Sequence, residues 1–321
     1  MKRQVLAITA IAAFAALPAL AEAPRSVPIY MSDTGHIMAD AMVNGSGPFP
    51  FVIDTAAGGT VAFQAFADDA GLEEVVTDEP IYVQGASGVT EAQLVEVGDM
   101  QMGEWSFYAG QAVVLPSPAD MNRAHVGVLG MQHLLVQPLG FELAEGEIQI
   151  YEPDVAIDAN DLTGDWFSVA YQPRMGGFVW THVTIDGVEM EAVIDTGARR
   201  TTINPAAARA LGVNPDGTGL EADEPVRGAS NHSQEAWIVP VTTVQLGERV
   251  WGSRHVTVSD LSIFHALGRT DEPTVVFGVD YLAEQNFIID PVANLIWMQK
   301  RQSAALGYLA RRVAEFSSEN R

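Results

Sequence analysis

The sequence predicts an all-β dominated chain of two related lobes, with short helices and a C-terminal helix. Three observations lead there. A segment beginning at Gly35 recurs, in order and in pattern, from Gly177. Both copies alternate apolar and polar residues in short runs broken by Gly, Asn, Asp and Pro, the period-two signature of half-buried strands. Both also carry an apolar strand that runs into Ile-Asp-Thr, at 53–55 and at 194–196.

The elements follow in the same order in each copy. The first strand ends at Asn44-Gly45 or Asp186-Gly187, a dipeptide that favours a tight hairpin turn. A second apolar strand then delivers Asp54 or Asp195. A threonine, Thr60 or Thr201, precedes an alanine-rich stretch of helical character closed by Gly71 or Gly212. Farther along, Gly85-Ala86-Ser87 and Gly228-Ala229-Ser230 sit between strand patterns. Val128-Leu129-Gly130 matches Val276-Phe277-Gly278, and a closing hairpin follows each, turning at Glu145-Gly146 and at Asp290-Pro291. Four landmarks in one order make the two segments a duplication.

With 321 residues there is room for two cores of ordinary size. The lobes are expected at 25–152 and 165–300, joined by a polar, acidic linker at 153–164 that contains Pro153, Asn160 and Gly164. Residues 301–321 carry Leu306, Leu309, Val313 and Phe316 at helical spacing, which predicts an amphipathic tail packed on the body. At the start, Lys2 and Arg3 precede an apolar, alanine-rich run and Ala19-Leu20-Ala21, a signal peptide of bacterial character over 1–21 with cleavage near Ala21. The expectation is a periplasmic or secreted protein with no membrane span after cleavage.

Composition narrows the chemistry. There is no cysteine, hence no disulfide, thiolate nucleophile or thiolate metal site. Without Lys2 and Arg3 the chain has 15 basic against 41 acidic residues, a charge of −26. Such a surface repels nucleic acid and anionic lipid, and it favours neutral or basic peptides over acidic ones. Seven histidines form no H-E-x-x-H or other compact ligand pair, so no metal is expected. No G-x-S-x-G elbow and no phosphate loop are present.

One aspartate at the end of an apolar strand reads as an ordinary turn. Two, at equivalent points of duplicated segments, read differently, because a pseudo-twofold axis brings the strand ends together. Facing carboxyls cannot both ionise at ordinary pH, so one holds a proton while the other accepts one from water. The pair is then a general acid and a general base in one unit, able to add water to an amide without metal, cofactor or covalent intermediate. Thr55 and Thr196 have hydroxyls that can bond backbone across the interface. The small residues Ala56 and Gly197 let their amides approach the carboxylates.

The turns Asp54-Thr55-Ala56-Ala57-Gly58-Gly59-Thr60 and Asp195-Thr196-Gly197-Ala198-Arg199-Arg200-Thr201 resemble the D-T-G-A-x-x-T active-site turn of retropepsins, within the pepsin/retropepsin-like superfamily of aspartic proteases. Gly130 and Gly278 resemble the family's second signature, a pair of apolar residues before a glycine. The resemblance covers the chain to about Lys300. It implies a β-rich bilobal aspartic endopeptidase, monomeric, acting on peptide or protein substrates, with Asp54 and Asp195 catalytic and Thr55, Ala56, Ala57, Thr196, Gly197 and Ala198 forming the turns. It also implies a hairpin flap, which falls on Gly85, Ala86, Ser87 and Gly88, with Gly228-Ala229-Ser230 as the alternative lid. Two departures stand out. The first triplet is D-T-A rather than D-T-G, where a methyl disfavours positive φ. The hairpin also lacks the tyrosine that pepsin-like flaps carry just before the tip, Tyr82 lying farther back. The competing expectation is therefore a catalytically silent fold that binds peptides, with Ala56 as the defect. Arg199 and Arg200 are candidates for holding a substrate carboxylate, or are simply exposed turn residues.

Overall fold

The computed structural model describes residues 23–117, 126–174, 176–228 and 232–300. The expected signal peptide, the expected tail helix, His125 and the pair Ala229-Ser230 lie outside the described residues. Among the described residues no helix is long and apolar enough to cross a membrane.

The chain is mostly β, with five short helices among the described residues. Strand Ile37–Val43 pairs antiparallel with Ser46–Ile53, which runs parallel to Gly127–Leu129 on its other side. Strand Phe178–Ile185 pairs in the same way with Val188–Ile194, which runs parallel to Thr274–Phe277. The connecting dipeptides behave as their chemistry requires: Asn44 and Gly45 adopt φ of 48° and 77°, Asp186 and Gly187 φ of 45° and 82°. Two left-handed residues in succession make the hairpin turn that matches strand twist.

The repetition continues. Val61–Phe63 lies antiparallel to Gly127–Leu129 and parallel to Trp105–Leu115. Thr202–Ile203 lies antiparallel to Thr274–Phe277 and parallel to Arg249–Val258. Short helices Gln64–Asp69 and Pro205–Ala210 follow these strands, and Asn204 caps the second by accepting from the Ala207 amide. Helices Met131–Leu134 and Val279–Leu282 begin directly after Gly130 and Gly278.

The two closing hairpins are stitched together. Leu139–Glu142 pairs with Glu147–Ile150 and, on its other edge, with Phe287–Asp290, which in turn pairs with Leu295–Gln299. Phe141 and Phe287 stack there at 4.5 Å, both fully buried. The result is a fourteen-stranded sheet containing strands from both copies, beside an eight-stranded sheet built from the second. Residues 153–164 form turns without strand or helix, and the Ile157 amide donates to the buried Asp290 carboxylate at 2.9 Å.

Candidate active site

Each aspartate is delivered by a strand and held by the parallel neighbour of that strand. The Asp54 amide donates to Leu129 O at 3.1 Å and the Asp195 amide to Phe277 O at 3.0 Å. Behind each turn, the Met131 amide donates to Ala57 O and the Val279 amide to Ala198 O. Gly130 and Gly278 are small because the turns press on them. A Cβ at Gly130 would lie 2.4 Å from Gly59 O, and one at Gly278 2.6 Å from Ala198 O.

The two threonines lock the strand ends to each other. The Thr55 amide donates to Thr196 Oγ1 and the Thr196 amide to Thr55 Oγ1; the hydroxyls pass on to Ile194 O and Ile53 O. Both residues are fully buried. Their reciprocity draws the two turns together, so that Asp54 and Asp195 lie close enough for each to act on the other's ionisation.

Backbone amides cradle both groups. Ala56 N donates to Asp54 Oδ1 at 2.8 Å, while Gly197 N and Ala198 N donate to Asp195 Oδ1 at 2.8 and 2.9 Å. Burial pushes the Asp195 carboxyl well above its ordinary value, and the neighbouring Asp54 charge pushes it further. Asp54 is also raised, chiefly by burial, against the pull of the Ala56 and Ala57 amides. A pair raised by burial and mutual repulsion holds one proton between them over a wide pH range.

The alanine in the first triplet has a structural explanation. Ala56 keeps its amide bond to Asp54, and neither Ala56 nor Gly197 adopts positive φ. The Ala56 methyl packs against an apolar cluster of Trp180, Val193 and Leu267 from the second copy. Gly197 has no such room, because a Cβ there would sit 2.2 Å from Asp54 Oδ2. Glycine is thus demanded on one side only.

Gly85 and Gly88 end the paired strands of a hairpin whose two-residue turn is Ala86-Ser87. Its inner residues Ile81 and Val83 pack with Ala57 on the cluster that includes Met38 and Val52. Tyr82 points away, 64% exposed. The tip reaches the second copy: Ser87 Oγ donates to His232 O at 2.8 Å and accepts from the Gly228 amide, and Ala86 O accepts from the Ile263 amide and Ser262 Oγ. Gly228 ends the short strand Val226–Arg227, paired with Ser233–Gln234. The two hairpins considered as alternative lids therefore meet.

Arg199 and Arg200 are engaged by acids: Arg199 pairs with Glu224 at 3.0 Å and Arg200 with the buried Asp223. Among the described residues no cluster of three or more His, Asp or Glu side chains could hold a metal ion. Sequence reasoning passed over Asp280, whose carboxylate accepts from both the amide and the hydroxyl of Thr201. Aligning the copies sets Asp280 opposite Gln132, and the signal in that alignment is an acid following an apolar strand in one copy only.

Each copy thus presents the same set: a strand, an aspartate turn and a supporting glycine, with the two turns bonded to each other. The family model described as aspartyl protease matches residues 39–133 and 181–281, which hold both turns, and the chain belongs to that family. No curated protein matches the chain.

Proposed function

We propose that the chain is an active aspartic endopeptidase of the pepsin/retropepsin type, two lobes over 25–152 and 165–300 with substrate bound in the cleft between them. The reading is carried by the reciprocal Thr55–Thr196 bonding that joins the two aspartate turns and sets Asp54 beside Asp195. A water held between the carboxyls loses a proton to the ionised aspartate as its oxygen attacks the scissile carbonyl carbon. The protonated aspartate donates to the carbonyl oxygen, giving a neutral gem-diol. That diol collapses as a proton passes to the amide nitrogen, the C–N bond breaks, and the one-proton state of the pair is restored. The snug fit of the Ala56 methyl against Trp180 and Leu267 favours a working site over a damaged one.

The same proposal takes the protein as a monomer that meets peptides outside the cytoplasm after losing residues 1–21. Purified processed protein should cleave casein or a peptide library between about pH 3 and 7, and a statine-type inhibitor should block it. Asp54→Asn and Asp195→Asn should each lower kcat/KM by about 100-fold or more without unfolding the chain, and their effects should not add. A single variant retaining more than about a tenth of wild-type activity rules out the shared water. Complete inactivity of folded protein, with peptide binding retained, makes it a binding module instead.

A further inference from the structure

The turn that carries Asp195 is anchored differently from the turn that carries Asp54. Thr201 is fully buried, and its amide donates to Asp280 Oδ1 and Oδ2 at 2.9 and 3.0 Å. Its hydroxyl donates to Asp280 Oδ1 at 2.7 Å and accepts from the Gly278 amide at 3.0 Å. Gly278 lies directly beneath the turn, in the approach that leaves no room for a Cβ beside Ala198 O and the Arg200 carbonyl carbon. The next residue, Val279, donates its amide to Ala198 O, and the Ala198 amide meets the Asp195 carboxylate. Asp280, Thr201, Gly278 and Ala198 thus form one continuous brace ending on Asp195.

The first copy shares the glycine and the amide link to Ala57 O but not the carboxylate anchor. Gln132 stands in the place of Asp280, is exposed, and reaches Thr60 Oγ1 only at 3.4 Å while also contacting the His133 ring. A carboxylate accepting from an amide and a hydroxyl at once holds a turn more firmly than one long amide contact. Asp280 is also held in place itself. Arg254 donates to its backbone carbonyl at 3.3 Å and is paired with Glu284, one helical turn on, while Arg200 and Arg254 both favour its charged form.

We propose that Asp280 is a positioning residue for Asp195, fixing through Thr201 the turn whose Ala198 amide orients that carboxylate. The assignment rests on the endopeptidase reading and goes beyond it, because it makes the two halves of the pair unequal. Asp195 is the braced partner, and Asp54 is held by the Ala56 amide of its own turn. The brace needs an acceptor rather than a charge: Oδ1 accepts both the Thr201 amide and its hydroxyl, and Oδ2 only shares the amide at 3.0 Å. An asparagine retains that oxygen and an alanine does not.

The test uses the processed full chain, with active sites counted by a tight-binding statine-type inhibitor. Asp280→Ala and Thr201→Val should each lower kcat about tenfold or more, with KM changed less than about threefold, because substrate contacts remain and transition-state alignment is lost. Asp280→Asn and Thr201→Ser should stay within about threefold of wild type, and Gln132→Ala within about twofold. A second readout does not need turnover: in carboxyl-labelled protein, the carbon-13 titration of Asp195 should move in Asp280→Ala and Thr201→Val but not in Asp280→Asn. If Asp280→Ala does not fold, Thr201→Val decides, since it removes only the hydroxyl. Unchanged kcat and unchanged Asp195 titration in folded Thr201→Val overturn the assignment. Equal losses in Asp280→Asn and Asp280→Ala also overturn it, pointing to charge rather than position. Wild-type protein that hydrolyses nothing defeats the endopeptidase reading, and the titration arm then still decides the role of Asp280.

Discussion

Thr55 and Thr196 each donate a backbone amide to the other's hydroxyl, at 3.0 and 3.1 Å, across 141 residues of sequence. Each hydroxyl donates onward to the carbonyl two residues before the opposite threonine, Ile194 or Ile53. Every donor and acceptor in this ring is buried, so removing one hydroxyl strands two backbone groups at once. Thr55→Val or Thr196→Val should cost about 2–6 kcal/mol of stability, at about 1–3 kcal/mol per orphaned group. Chemical denaturation measures it. A loss below about 0.5 kcal/mol would mean that water replaces the hydroxyl and that the ring is not what joins the two turns.

The two triplets should respond oppositely to a single methyl. Gly197→Ala places a carbon inside contact distance of the Asp54 carboxyl, so the pair must separate, and kcat/KM should fall about 100-fold or more. Ala56→Gly removes a methyl from the Trp180 and Leu267 wall and should cost about 1 kcal/mol while leaving kcat/KM within about threefold. Steady-state kinetics on both variants checks this. Loss of activity in Ala56→Gly would show that the methyl itself shapes the site.

The hairpin tips should act as one closure. Ser87 joins the tip of the first hairpin to His232 O and the Gly228 amide, and the His232 ring occupies the space beside Gly88 where a Cβ would lie 2.8 Å from it. Gly85→Pro or Gly88→Pro should therefore impair turnover with little change in Tm. Gly228→Pro should do the same, and combining it with a first-hairpin variant should cause little further loss. Full activity in the Gly85 and Gly88 variants, with losses confined to Gly228→Pro, would give the lid to the second hairpin alone.

The pH behaviour follows from carboxyls that are raised rather than lowered. Asp54 and Asp195 lie above their ordinary value, chiefly through burial, and no hydroxyl at position 57 or 198 offsets this because both are alanine. Activity should peak in weak acid, roughly pH 4.5–6.5, and Ala57→Ser with Ala198→Ser should move the acidic limb of kcat/KM downward. Stability should share the same sign. A carboxyl whose folded pKa exceeds its unfolded one binds its proton more tightly in the native state, so the contribution is present in acid and fades as pH rises through the folded pKa. Asp280, pushed up to about 6 chiefly by burial, loses about 1–3 kcal/mol this way between roughly pH 4 and 7. Asp223 runs the other way: burial raises it, but Arg200 and Thr257 outweigh that and hold it low, so its contribution is lost in acid. Tm measured from pH 4 to 7.5 should fall with rising pH in the wild type and fall less in Asp280→Asn. A wild-type Tm that rises across that range contradicts the balance.

Much of this architecture is written in neighbouring residues. Asn44-Gly45 and Asp186-Gly187 specify tight hairpins because those residues accept left-handed backbone at little cost. The alternating strands around them follow from which side chains prefer burial, and the repeated Ile-Asp-Thr marks two equivalent aspartates. The two glycines after paired apolar residues were legible too, since only a residue without Cβ fits beneath each turn.

What the tertiary structure alone decided is whom each group meets. The D-T-A departure left the fit of its methyl open, and Trp180, Val193 and Leu267, all more than 120 residues away, pack with it. Arg199 and Arg200 read either as holders of a substrate carboxylate or as exposed turn residues, and Glu224 and Asp223 occupy them. Two hairpins that competed for the role of lid turned out to touch, and Asp280 was drawn under the Asp195 turn by the parallel strand that precedes it. Backbone preference acts over a few residues and is encoded where it operates. Steric room, ion pairing and hydrogen-bond partnership depend on which distant segments chain closure brings within a few ångströms, and no local pattern carries that information.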